Sequence, residues 1–212
     1  MPTIAEKLAT ISENNRNIKI NLPLVYNSGI EAERSDFWDV FQNKGDRTNY
    51  RYAFYDNYPG EIFNPKYDFK CYGNCSNMFT YAKMTRIEKT LDFSGGNIQC
   101  GSVFAYAYYL KHISKLIVRS DMTYNSWFTR TDALEDIFIE GTVGNDIDFK
   151  DCKKLTKTSI ENIVDCLSST ESGKTLTLKE SAVIDAFGSL ENEGWINLIN
   201  SRSNWKISTI ST

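Results

Sequence analysis

Apolar and polar positions between residues 76 and 155 follow one template written several times. Met78-Phe79-Thr80-Tyr81-Ala82-Lys83-Met84-Thr85-Arg86-Ile87, Val103-Phe104 running to Leu110-Lys111-His112-Ile113, and Trp127-Phe128 running to Leu134-Glu135-Asp136-Ile137 share it. Each gives an aromatic anchor, a small or polar middle, an apolar residue, two polar residues and Ile. The anchors Phe79, Phe104, Phe128 and Phe149 recur at spacings of 25, 24 and 21. A period of that size marks a repeat architecture, in which a unit buries its apolar face only against its neighbours. Thr90-Leu91-Asp92-Phe93, Lys115-Leu116-Ile117-Val118 and Asp136-Ile137-Phe138-Ile139 follow their anchors and read as short strands. Turn residues close each of them: Ser94-Gly95-Gly96, Ser120-Asp121 and Gly141 through Gly144-Asn145. Ordering a repeat costs ~1–2 kcal/mol of backbone entropy per residue, and its few apolar side chains return only ~1.5–3 kcal/mol each. No repeat stands alone, so the pattern predicts strands paired as a narrow sheet and Phe79, Phe104 and Phe128 piled into one ladder.

The flanking segments carry other periods. Thr3 and Glu6 have capping-box spacing, and Ile4, Leu8 and Ile11 then fall on one helical stripe, which reads either as packing on its own domain or as an assembly and anchor face. From Leu22 to Phe41 the pattern is again helical, with Phe37, Trp38 and Phe41 covering the open end of the first repeat. Tyr67-Asp68-Phe69-Lys70 reads as the strand of a degenerate first repeat. After Phe149 the template restarts through Cys152 to Leu155 and turns into a helix, with a capping box at Thr158 and Glu161. Strand Thr175–Leu178, helices at Ala182–Phe187 and Leu190–Ile199, and strand Trp205–Ser208 complete the chain. The expected fold is α/β, a short solenoid with a narrow sheet. Residues 1–45 are its helical anchor, oligomerisation and capping segment, 46–157 the solenoid and 158–212 a C-terminal α/β cap.

Composition narrows the function without naming it. The chain is 41% hydrophobic and 24% charged with 4 Pro, ordinary globular stock. A net charge of -3 with scattered Lys and Arg argues against a nucleic-acid partner. The start of the chain lacks a basic segment followed by an apolar one, and no apolar run spans a bilayer, so a cytosolic product without membrane insertion is expected. Cys71, Cys75, Cys100, Cys152 and Cys166 lack tight pairs and read as small buried hydrophobes; no metal site or cofactor is expected. The single histidine, His112, occupies a polar slot that holds no His in the other repeats, so catalytic triads are not expected. The acidic pairs Glu135/Asp136 and Asp146/Asp148 read as solvent-side charges, and no catalytic residue is assigned. What stands out is 12 Tyr and 4 Trp. Tyr106, Tyr108, Tyr109, His112, Tyr124 and Trp127 are the candidate surface-recognition residues, because Tyr gives large contact area at low rotamer entropy.

The repeats resemble the bacterial surface-antigen type of leucine-rich repeat, in which aromatic anchors partly replace the leucine ladder. With Thr3-Ile4-Ala5-Glu6-Lys7-Leu8, Phe37-Trp38-Asp39-Val40-Phe41-Gln42, Gly45, Arg47, Tyr52-Ala53-Phe54, Trp195 and Trp205-Lys206-Ile207, nearly the whole chain resembles proteins encoded in phages and prophages of Gram-positive gut bacteria. The resemblance implies a non-enzymatic virion-associated protein, capsid- or tail-attached, built as helical anchor, leucine-rich-repeat solenoid and cap. Its partners would be other virion proteins or further copies of itself, and a host cell-surface glycan or protein. A surface or secreted adhesin of a bacterium is the alternative, and the absent export signal weighs against it.

Overall fold

A computed structural model describes residues 20–21, 48–55, 62–65, 67–71, 73–95 and 98–211. The helical stripe Ile4, Leu8 and Ile11 and the aromatic cluster Phe37, Trp38 and Phe41 lie outside the described residues. Strands β1 (Ile20–Asn21) and β2 (Thr48–Asn49) pair with each other in parallel. From there the chain winds as a parallel-strand β-solenoid of about five turns with few helices, an α/β fold.

One side of each turn is a strand. β3 (Ile62–Phe63) and β4 (Phe69–Lys70) both lie alongside β5 (Arg86–Asp92), as a degenerate first repeat requires. β5 pairs in parallel with β6 (His112–Val118), and β6 with β7 (Asp136–Gly141). The register sets Arg86, His112 and Asp136 side by side, then Leu91, Leu116 and Ile139. β5 and β6 start a few residues before the expected strands, because the second polar residue and the Ile of the template already belong to the sheet. Ile87, Ile113 and Ile137 point inward while Arg86, His112 and Asp136 face out.

The opposite side carries the anchors, and its hydrogen bonds explain its backbone. The amides of Cys75, Asn77, Phe79 and Tyr81 donate to carbonyls of the next turn, at Gln99, Gly101, Val103 and Ala105, over 2.8, 2.8, 2.8 and 3.1 Å. The intervening Met78, Thr80 and Ala82 donate back within their own turn, to Cys75, Asn77 and Phe79. Serving both directions alternately bends the chain into left-handed conformations four residues apart, at Asn77 and Tyr81, Ser102 and Tyr106, Ser126 and Arg130, with φ between 53° and 60°. Every turn thereby satisfies its backbone against the next. Inside, Phe54, Phe79, Phe104, Phe128 and Phe149 stack at 5.2, 5.6, 5.5 and 4.4 Å between ring centres, extending the expected ladder at both ends. Turns approach closely enough that a Cβ on Gly141, at φ 103°, would sit 2.2 Å from the Val118 carbonyl oxygen.

Beyond β7 the strand gives way to helix α1 (Lys157–Asp165), which lies along the last edge of the sheet. The amide of Ile137 donates to Ser159 Oγ and that of Ile139 to Asn162 Oδ1, while Asn162 Nδ2 donates back to Ile139 O at 3.1 Å. Side chains of α1 thus do the pairing that a further strand would have done, which covers an otherwise open edge. Its N-cap is Thr156, accepting from the Ser159 amide, two residues ahead of the Thr158/Glu161 box expected from spacing. A second sheet runs β8 (Ile147–Phe149), β9 (Thr175–Lys179), β10 (Lys206–Ile210), all parallel, with α2 (Glu180–Phe187) and α3 (Glu193–Asn200) between its last two strands. Phe149 serves both sheets, as a rung of the ladder and as the end of β8.

Candidate functional site

Two features stand on the solenoid surface. The first follows from the left-handed turns. Tyr81 and Tyr106 occupy the position two residues after the anchor, and Arg130 holds the same place in the next turn. Neighbouring strands of a sheet lie about 4.7–4.9 Å apart, and Tyr81 stacks on Tyr106 at 4.8 Å and 14°. The winding of the chain thus imposes the stack. Tyr55 packs edge-on against Tyr81 at 5.5 Å and against Tyr52 at 5.2 Å, and Tyr108 meets Tyr106 at 6.1 Å. Arg130 places its guanidinium over the Tyr108 ring at 5.9 Å, a cation–π distance. Tyr52, Tyr55, Tyr81 and Tyr108 are all exposed, so the result is a continuous tyrosine strip ending on a cation. Desolvation and the neighbouring phenols Tyr106, Tyr55 and Tyr108 push the Tyr81 hydroxyl up. Tyr81 and Tyr106 thus cover one ring face of each other.

The second feature is a polar groove where the strands of three successive turns begin. Thr85 and Arg86, Lys111 and His112, and Glu135 and Asp136 line a cavity of about 230 Å³. The carbonyl of Thr85 accepts from both Lys111 and His112, and that of Lys111 from both Glu135 and Asp136, so successive dipeptides stand in register. His112 lies between Ser114 Oγ, 3.3 Å from Nε2, and Asp136 Oδ2, 3.9 Å from Nδ1. That order matches a nucleophile, base and acid. The longer gap, however, exceeds the ~2.6–3.2 Å of a hydrogen bond, and Asp136 accepts from Thr156 Oγ1 at 3.1 Å instead. The arrangement therefore supplies a hydrogen-bonding surface rather than a connected proton relay.

The expected surface residues divide accordingly. Tyr106 and His112 are half-buried, and Tyr108 and Tyr109 are exposed. Tyr124 and Trp127 correct the expectation: both are buried, at 3% and 1% exposure, and cannot belong to a recognition face. They occupy the positions four and one residue before the anchor, where Tyr50, Cys75 and Cys100 and then Ala53, Met78 and Val103 form inward rungs. Trp127 Nε1 donates to Cys100 O at 2.9 Å and Tyr124 Oη to Arg119 O at 3.1 Å, which satisfies both polar handles inside. Burial pushes the Tyr124 hydroxyl up. Conversely Tyr52, Tyr55, Tyr81 and Arg130 join the strip although they were not singled out. Aligning Tyr81 with Tyr106 at their spacing of 25 would have shown one pair.

The buried thiols of Cys71, Cys75 and Cys100 cluster in the core, where desolvation first and the neighbouring thiol of Cys75 second push Cys71 and Cys100 well up. None of the five cysteines, all of them described, forms a disulfide, and no group of three metal-binding side chains occurs among the described residues. Among those residues no helix is long and apolar enough to cross a membrane.

Fold and surface thus define a class, a parallel-strand β-solenoid carrying an exposed tyrosine strip beside a charged groove. Comparison with protein-family models, with curated proteins and with solved structures finds no match for the chain.

Proposed function

We propose that the chain is a non-enzymatic structural protein of a phage virion, attached to capsid or tail, whose leucine-rich-repeat solenoid of the surface-antigen type meets a neighbouring subunit or the host surface. In this reading residues 1–45 attach the protein and residues 158–212 cap the solenoid. The tyrosine strip is the observation that supports it. Bulky residues in left-handed backbone cost of order 1–3 kcal/mol each, persist where the surrounding structure holds them, and cluster at functional sites. Tyr52, Tyr81, Tyr106 and Arg130 all have φ between 55° and 60°. Rigid tyrosines with a flanking cation are what protein-contact surfaces are enriched in.

Mass spectrometry of purified particles tests the assignment: the chain is expected at a fixed copy number, and its absence would overturn it. Tyr55→Ser combined with Tyr108→Ser tests the surface. Particle incorporation or host-cell binding should drop at least tenfold with an unchanged melting temperature; full retention of both would remove the strip from the contact.

A further inference from the structure

The groove at the strand entries is separate from the strip and is not explained by stacking. Its charges are ordered along the solenoid axis. Arg86 stands on the first turn, Lys111 and His112 on the middle one, and the carboxylates of Glu135 and Asp136 on the third. Several of these groups are already engaged: Arg86 holds Glu88 at 2.6 Å, and Glu135 has Lys154 at 4.0 Å. The ammonium of Lys111 has no ion-pair partner among the described residues. Thr156 occupies Asp136 Oδ1, and among the described residues Oδ2 has only His112 Nδ1 near it, at 3.9 Å, beyond hydrogen-bond reach.

Size and surroundings limit what fits. Pockets for drug-sized ligands run to about 300–1,000 Å³, so about 230 Å³ accommodates a single ring-sized unit, the end or one residue of a larger polymer. Tyr109 is 60% exposed and has no ring partner among the described residues, unlike the tyrosines of the strip. It lies outside the groove's own lining but precedes Lys111 by two residues, which places its Cα no more than about 7 Å from that of Lys111. An aromatic face left uncovered beside a row of charged hydrogen-bonding groups suits a sugar ring, whose apolar face stacks while its substituents bond in the plane. A peptide terminus would use the charges but not the ring.

We propose that this groove binds a charged saccharide unit, a pyranose carrying both an acidic and an amino substituent. Lys111, with Arg86, meets its carboxylate; Asp136 and Glu135 meet its ammonium or hydroxyls; Tyr109 covers one ring face. The inference does not depend on the virion assignment.

The chain has one histidine, so its imidazole signals in a proton–nitrogen spectrum report on this groove alone. Muramic acid, a pyranose with a free amine and a carboxylate, should shift the His112 signals saturably. Lys111→Ser and Tyr109→Ser should each weaken that binding at least fivefold without moving the melting temperature. Glucose should bind at least tenfold more weakly than muramic acid. Glycylglycine tests the peptide alternative: equal binding by it, insensitive to Tyr109→Ser, overturns the saccharide assignment. Equal binding by glucose overturns the role of the charges. No shift with muramic acid at millimolar concentration overturns the site. Tyr55→Ser with Tyr108→Ser should leave muramic acid binding unchanged, which separates this groove from the strip.

Discussion

Tyr106 adopts a left-handed backbone, φ 60°, that glycine would take with no steric cost. Tyrosine there gains its contact with Tyr81 at 4.8 Å, worth about 0.5–1.5 kcal/mol for an aromatic pair, and loses about 1–2 kcal/mol to the left-handed conformation. The two effects nearly cancel. Tyr106→Gly should therefore change the unfolding free energy by less than about 1 kcal/mol, read from the urea midpoint, while interrupting the strip at its centre. A loss well above that would mean Tyr106 is there for stability, and the case for a retained recognition surface would fall. Gly141 is the opposite instance, a left-handed position where the Val118 carbonyl leaves no room for any side chain. Stability chose the residue there, whereas at Tyr106 it is nearly indifferent.

At the scale of elements, the most specific interaction is the one between α1 and β7. Asn162 supplies both an acceptor to the Ile139 amide, at 2.7 Å, and a donor to the Ile139 carbonyl, so one side chain stands in for a strand's two hydrogen bonds. Asn162→Ala leaves the Ile139 amide unpaired, at about 1–3 kcal/mol for a buried polar group without a partner, while the Ile139 carbonyl keeps the Cys166 thiol at 3.1 Å. Asn162→Asp keeps the acceptor and loses the donor, so its loss in thermal or urea stability should fall between wild type and alanine; equal losses would show that Ile139 finds other partners. This interaction was not legible in the sequence, since an Asn on a helix has no periodic signal. The sheet itself was more readable. Apolar runs at Leu116 to Val118 and Ile137 to Ile139 marked the strands, but Arg86 and His112, being outward-facing and polar, hid where β5 and β6 begin. The cap at Thr156 was missed because Thr158 and Glu161 have capping-box spacing too, and only the packing of Ser159 against Ile137 and Glu135 chooses between them. In the candidate surface, Tyr108 and Tyr109 were legible as exposed turn residues. Tyr124 and Trp127 were not, because an aromatic in a turn looks alike whether its ring points inward or outward. Their alignment with Cys100 and Val103 is what shows the inward direction.

For the whole molecule, the anchor ladder makes stability a nearest-neighbour property along one axis, as in other stacked-repeat proteins. Phe104 is the central rung, stacked on Phe79 at 5.6 Å and on Phe128 at 5.5 Å, whereas Phe54 is the first described rung and stacks on Phe79 at 5.2 Å. Replacing a buried Phe by Ala costs about 3–5 kcal/mol, a large part of the ~5–15 kcal/mol that holds an ordinary domain. The position along the axis decides what that loss does. Phe104→Ala removes both interfaces at one turn and uncouples the turns before it from those after it, which remain attached to α1 and the second sheet. Calorimetry should then resolve two transitions, the lower one carrying the amides of residues 48–95 in hydrogen exchange. Phe54→Ala should lower the melting temperature with a single transition for residues 73–211, because every rung from Phe79 to Phe149 stays stacked. One cooperative transition in both variants would mean that the backbone bonds between turns, such as Phe79 to Val103 and Phe104 to Trp127, couple the solenoid without the ladder. The aromatic period read from the sequence would then report how the turns are filled rather than what joins them.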